Sequence, residues 1–380
     1  MKLGLKDIRF AKGRFALMAG VVALIAMLLV MLTGLTSGLG NQSISAVRDL
    51  PVDRVVFSTG DSASGDAKPD FTSSQITAQQ LAAYQDVYGD GATPLGLTSA
   101  RAQGVATDGS GTSGTSGTAN VAVFAAQQPE ALSGAGSALP KGSVFLDEDT
   151  ASSLGLLNGN ALTADAKATI NGKEFAVAGL VDAQWYSHMP VAWMSIDDWA
   201  SIAHTSSDVV GTVMLLAGGS LASTSGEVPS TLTDDSLTTA VTPGAAVRGL
   251  PSYTSENGSL ALMQAFLYGI SGLVIAAFVA VWTVQRTRDI AVLKALGASG
   301  GYVVRDALSQ SLVVTVLGAV VGGALGGGIA VAASAVVPIH LTLLSAVLPI
   351  AGIIVIGLAA SMAAVKQTTS IDPLLALGGN

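Results

Sequence analysis

Three small groups of side chains carry donor types that could hold a ligand. Met27 and Met31 stand at i and i+4, so a helix places both thioethers on one face. Trp185–Pro190 (WYSHMP) brings a phenol, an imidazole and a third thioether close together at Tyr186, His188 and Met189. Tyr253–Glu256 adds another phenol and a carboxylate. Thioether, imidazole and phenolate suit a metal carried by a bound group, and a carboxylate suits a polar ligand group. Each group also has a plainer reading. Methionine fills gaps between helices, a single histidine is commonly a solvated residue, and tyrosine anchors helices at a membrane interface. Covalent chemistry is not in view. There is no cysteine, the three histidines (His188, His204, His340) have no partner set, and neither HExxH nor GxSxG occurs within residues 41–258. The chain therefore reads as a binder or carrier without catalytic or metal-ligating residues of its own, and not as an enzyme.

The elements that must position these groups are mostly membrane spans. Only 12% of residues are charged, against about 25% in an ordinary soluble domain. A span needs about 20 apolar residues to cross roughly 30 Å of hydrocarbon. Four uncharged segments meet that length: 15–39, 260–284, 307–335 and 341–365. Lipid offers no partner to backbone polar groups, so each is expected to be a helix. The first run is longer than the about 7–15 residues of a signal-peptide core and lacks a small-x-small cleavage site, so it is expected to stay as a helix. In the third segment Gly318, Gly322 and Gly326 recur every four residues, a narrow face for close helix packing. His340 falls in the short turn before the fourth span and is expected to be exposed.

Charge sets the expected orientation. Segments 1–14, 285–306 and 366–380 together hold ten basic and four acidic residues. The segment between spans one and two holds eight basic and 22 acidic residues. Basic flanks stay in the cytoplasm, so both termini and the 285–306 loop are expected inside and the acidic segment outside. The expected fold class is thus a membrane α-helical protein of four spans, with a mixed α/β extracytoplasmic domain (40–259) inserted between helices 1 and 2. Within that domain Asp53–Thr59, Ala119–Ala126 and Glu174–Asp182 read as strands. Ser74–Val87, Asp147–Leu157 and Met194–His204 read as short helices, the last with Ser195 as its cap. Gly104–Thr118, rich in Gly, Ser and Thr, reads as a loop or hairpin tip, and Gly218–Ser230 as a link between two strands.

The most informative string is Gln285–Ser299, QRTRDIAVLKALGAS. It reads as a short surface helix. Asp289 stands near its start and Lys294 near its end, each matched to the helix dipole, and Gly297 is a natural stop. Ile290, Leu293 and Leu296 form an apolar stripe that wants a cover, from headgroups or another protein.

Arg286, Arg288, Asp289, Ile290, Leu293, Lys294, Leu296 and Gly297 in this string resemble the cytoplasmic coupling segment of FtsX/MacB-type ABC permeases. The resemblance extends to the plan of one span, a large external domain, three spans and a tail ending in Ile371–Leu377 (IDPLLAL). The opening, LKDIRFAKGRFALM followed by GLTSGLGNQSISAV and DRVVFST, is similar to the haem-exporter permeases of the HrtB type and to those of the DevC type. The resemblance implies a multi-pass protein of a bacterial plasma membrane, acting as a homodimer with two copies of a cytosolic ABC ATPase. ATP would be bound and hydrolysed on that partner, since no G-x-x-x-x-G-K-[ST] occurs here. It implies membrane lipid as surroundings, no nucleic acid, no intrinsic cofactor, and haem as the transported ligand. On that reading Met27, Met31, His188 and Tyr186 are candidate donors to the haem iron. Tyr253 and Glu256 are candidates for its polar edge. Export of a lipid or a peptide, or FtsX-like signalling to a cell-wall hydrolase, are the alternatives the same family allows.

Overall fold

The computed structural model describes residues 12–60, 68–107, 113–217, 227–285, 292, 300–334 and 336–369. Two compact units emerge, one of residues 1–39 and 257–380 and one of residues 40–256.

In the first unit all four expected spans are helices. The first long helix runs Lys12–Arg48, the second Pro251–Gln285, the third Gly300–Ala333 and the fourth Leu343–Thr369. Each is long and apolar enough to cross a membrane. The first and second are longer than their apolar cores suggest. The first continues nine residues past Leu39, and the second begins at Pro251 and not at residue 260. Helical backbone satisfies its own polar groups, so it need not stop where the apolar run stops. Tyr253 and Glu256 consequently lie on the second helix and not ahead of it.

One apolar cluster holds this unit together. Phe15, Met18, Val22, Ala26 and Leu29 of the first helix meet Ile275 and Val279, Val314 and Ala319, and Ile353 and Val365 of the other three. The glycine face works as its spacing suggests. A Cβ built on Gly318 would stand 2.7 Å from Ala19 O, one on Gly326 2.9 Å from Met27 O, and one on Gly322 would collide with Ala23 O. Backbones of the first and third helices touch there, which only glycine permits. Outward side chains such as Leu262, Phe266, Leu273 and Leu325 stay exposed, as lipid-facing positions should. His340 is exposed, with its backbone N–H donating to Gly34 O.

The second unit is mixed α/β, built on a ten-stranded sheet. Six of its strands close on themselves. Ala92–Thr107 pairs with Ser113–Ala126, which pairs in parallel with Met189–Ser195. The ring returns through Ser143–Asp147, Lys173–Val181 and Lys167–Ile170 to Ala92–Thr107. Alternate residues fill its interior: Ala100 and Ala102, Val121, Val123 and Ala125, Val144 and Leu146, Ala168 and Ile170, Phe175 and Val177. Many of these side chains are small because a six-stranded ring leaves little room inside. The opposite faces, with Phe124, Phe145 and Trp193, join a second core that also takes Ile44, Val47 and Leu50. Val213–Ala217, Val52–Ser58 and Thr238–Val241 extend the sheet beyond the ring.

The three strands expected from sequence are present, as Val52–Ser58, Ser113–Ala126 and Lys173–Val181. The helices are shorter than expected. They are Ala78–Tyr88, opened by a Thr77–Gln80 capping box, Glu148–Ser153 with Asp147 as cap, and Ile196–Trp199 with Ser195 as cap. Gly104–Thr118 lies at the end of a hairpin, as one of its two expected readings has it, and its described residues are paired strand out to Thr107 and Ser113. Ladder hydrogen bonds use the backbone, so a run of poor core formers can still pair when its partner strand is fixed by the ring. Gly218–Ser230 falls between the strands Val213–Ala217 and Thr238–Val241, as expected, and a short helix, Ser230–Asp235, precedes the second.

Candidate functional site

The candidate site of the second unit forms around the hairpin Trp185–Tyr186 and Met189–Pro190. Ser187 and His188 make its two-residue turn, and both have positive φ, at 49° and 62°. Such a turn matches the twist of a hairpin but is ordinarily built from Asn and Gly. Each non-glycine residue held there costs about 1–2 kcal/mol, so its surroundings must hold it. They do. Ser187 N–H donates to Ser43 O and His188 N–H to Gln42 O, both at 3.0 Å, on the last turns of the first helix. Trp185 N–H donates to the buried Ser45 Oγ at 2.9 Å.

This anchoring aims the imidazole. His188 Nε2 lies 3.0 and 3.2 Å from the two carboxylate oxygens of Glu256, and 3.1 Å from the buried Ser43 Oγ. Ser187 Oγ stands 3.3 Å from Ser252 Oγ, one helical turn before Glu256. A carboxylate only accepts, so Nε2 must carry the proton and donate to Glu256. Serine, imidazole and carboxylate thus share one ring nitrogen. A nucleophile relay needs both nitrogens, one for the hydroxyl and one for the acid, so this trio cannot activate Ser43. Among the described residues Nδ1 has no hydrogen-bond partner, which leaves its lone pair for a metal.

Tyr186 and Tyr253 play different parts. The Tyr186 ring packs edge-on against Phe124 at 5.4 Å and Phe71 at 5.8 Å. Burial, with a smaller contribution from Asp70, pushes its phenol well above the ordinary range, so it stays neutral at physiological pH. The Tyr253 ring lies over Gly40, where an added Cβ would touch it at 3.7 Å, and packs against the domain core. Met189 is partly buried against the same core. Met27 and Met31 belong to the first unit, both half-buried on the first helix.

Of the sequence candidates in the second unit, His188 and Glu256 are therefore in direct contact. Tyr186 and Tyr253 flank them as packing residues. Ser43, Gln42, Ser187 and Ser252 complete the cluster and were not expected from sequence. No motif marks them, because Ser43 and His188 are 145 positions apart and His188 and Glu256 are 68 apart. Arg286, Arg288, Asp289, Ile290, Leu293, Lys294, Leu296 and Gly297 lie outside the described residues. No group of three or more His, Cys, Asp or Glu poised for a metal occurs among the described residues.

Comparison with known proteins gives these features a context. Residues 261–373 match the family model described as FtsX-like permease C-terminal. A putative hemin transport system permease protein HrtB of Staphylococcus haemolyticus is 21% identical over 381 residues, covering 100% of this chain and 99% of that one. An HrtB of Staphylococcus epidermidis is 22% identical over 225 residues, 59% of this chain and 61% of its own. An uncharacterised ABC transporter permease of Mycobacterium tuberculosis is 34% identical over 121 residues, 32% of this chain and 34% of its own.

Proposed function

We propose, with an ABC transporter permease of the FtsX family as the premise, that this chain is the membrane half of an exporter whose cargo is haem. The observation that carries this reading is the alignment with an HrtB hemin permease from end to end of both chains. Four apolar helices make the chain a multi-pass bacterial membrane protein that works with an ATPase subunit. Two permease chains and two ATPase copies form the assembly, with both termini inside. ATP binding must favour one permease conformation over another to do work, and the coupling string from Arg286 to Gly297 is the natural contact for that bias.

Each unit supplies its own candidates for cargo. In the membrane, Met27 and Met31 offer thioethers to a flat apolar ring with an iron centre, a donor that haem iron accepts. In the second unit, Glu256 offers a carboxylate to a polar ligand group, with His188 Nδ1 as a further donor and Tyr186 and Tyr253 as the surrounding wall.

Haemin titrated into the purified permease–ATPase complex in lipid nanodiscs tests the cargo. The wild type should develop a Soret band, and haemin should stimulate ATP hydrolysis. Met27→Leu with Met31→Leu nearly conserves volume and should cost less than about 1.5 kcal/mol per site, so the complex survives. Its Soret band should shift or vanish. An unchanged band would end methionine ligation. No haemin binding by the wild type, with stimulation by a lipid, a peptide or an external protein instead, would replace the cargo and leave the permease.

A further inference from the structure

We propose that the Ser187–His188 turn is a clasp that positions Glu256, with His188 a positioning residue acting through Nε2. The proposal deepens the cargo reading above, because it rests on Glu256 as a ligand contact. Three kinds of contact converge on one turn. Its backbone donates to Gln42 O and Ser43 O near the end of the first long helix. Its imidazole holds both oxygens of Glu256, and its serine hydroxyl meets Ser252, both near the start of the second long helix. The hairpin itself is fixed below by Trp185 on Ser45 and by Tyr186 among Phe71 and Phe124. Two residues, both held at positive φ, therefore tie two helix ends to one another through the domain's aromatic core.

The arrangement has a chemical purpose that a simple turn lacks. Asn-Gly would form the same hairpin without strain. Histidine in its place brings an N–H to the carboxylate of a half-exposed Glu256, whose long side chain otherwise samples many rotamers. Holding that side chain in one place removes the ordering cost at the moment a ligand arrives. Because the imidazole is aimed by carbonyls on the first helix, any displacement of that helix end relative to the turn releases Glu256. Ligand capture at Glu256 and the placement of Gln42 and Ser43 at the end of the first helix are then coupled through residues 187 and 188.

Hydrogen–deuterium exchange and haemin titration on the full permease–ATPase complex in nanodiscs test this together. His188→Gly suits the positive φ and keeps the turn, so it removes the imidazole alone. It should speed exchange in peptides covering 252–256 and weaken haemin binding about tenfold, the scale of one charge-assisted hydrogen bond. His188→Gln returns an N–H near the Nε2 position and should restore both. Glu256→Gln still accepts from His188, so exchange should stay slow while haemin binding falls. Unchanged exchange in His188→Gly overturns the clasp. Slow exchange in His188→Gln with a lost Soret band also overturns it, because His188 would then be an iron ligand. Fast exchange in His188→Gly, with haemin bound normally by Glu256→Gln, supports the clasp as a lock and instead removes Glu256 from the cargo reading.

Discussion

At the scale of single residues, burial decides what a side chain can do more than its type does. Tyr84 is fully buried, and its hydroxyl sits 2.8 Å from Thr238 Oγ1. Burial pushes its phenol from 10.0 up to about 12, against the opposing pull of that hydrogen bond. A raised folded value means the fold favours the neutral phenol. The resulting stability is complete below pH 10 and is lost as pH rises through about 12. Two units correspond to about 3 kcal/mol. Tyr84→Phe forfeits the hydrogen bond, about 1 kcal/mol, but has no proton to lose. Thermal unfolding of both proteins across pH 8–12 should show the variant less stable at neutral pH, with the gap closing or reversing above about pH 11. A constant gap over the whole range would show that Tyr84 never ionises on unfolding. Tyr186, pushed up for the same reason, is common to both proteins and cancels in the comparison.

At the scale of elements, close approach is set by what is missing from the helix surface. Gly322 stands against Ala23 O of the first helix with no room for a methyl group, whereas Gly328 has nothing within 4 Å. The two lie on one helix, less than two turns apart, in the same apolar segment. Gly322→Ala should destabilise the helix bundle by about 1–3 kcal/mol through forced separation of the backbones. Gly328→Ala should stay within about 0.5 kcal/mol of the wild type. Unfolding in mixed micelles reads both, and equal effects would mean that the first and third helices are not packed through this face. The same logic operates in the second unit at Gly96, where a methyl group would drive into the Trp199 indole.

At the scale of the whole molecule, charge must agree with topology. The 22 acidic residues between the first and second spans and the ten basic residues on the flanks and the 285–306 loop point to opposite sides of a membrane. Ala164 is exposed on the second unit, so a cysteine there should react with an impermeant maleimide on intact cells. A cysteine at Ala298 should react only after permeabilisation. Neither label competes with native thiol, because the chain has no cysteine. Labelling of Ala298→Cys on intact cells would invert the orientation.

Hydrophobic length and local charge are sums over neighbouring residues, so the four spans and the inserted α/β domain were legible in the sequence, as was the likeness of residues 261–373 to FtsX-like permeases. So was the glycine face of the third helix, because a four-residue repeat is itself a local pattern. Helix limits were less legible. The helices at Arg48 and Pro251 extend past their apolar cores, where backbone hydrogen bonding continues without lipid to demand it. How far the hairpin ladder runs into Gly104–Thr118 was hidden because strand ladders engage backbone groups and leave little trace in composition. The closed six-stranded ring depends on Ser113–Ala126 meeting Met189–Ser195, a parallel pairing of distant segments that no periodicity records. The cluster at His188 was hidden for the same reason. The sequence could nominate the imidazole and the carboxylate by type, but Ser43, Ser187 and Ser252 acquire meaning only from position. Tertiary structure decided that part, because a hydrogen bond is fixed by distance and direction, and a turn at positive φ exists only where its neighbours hold it.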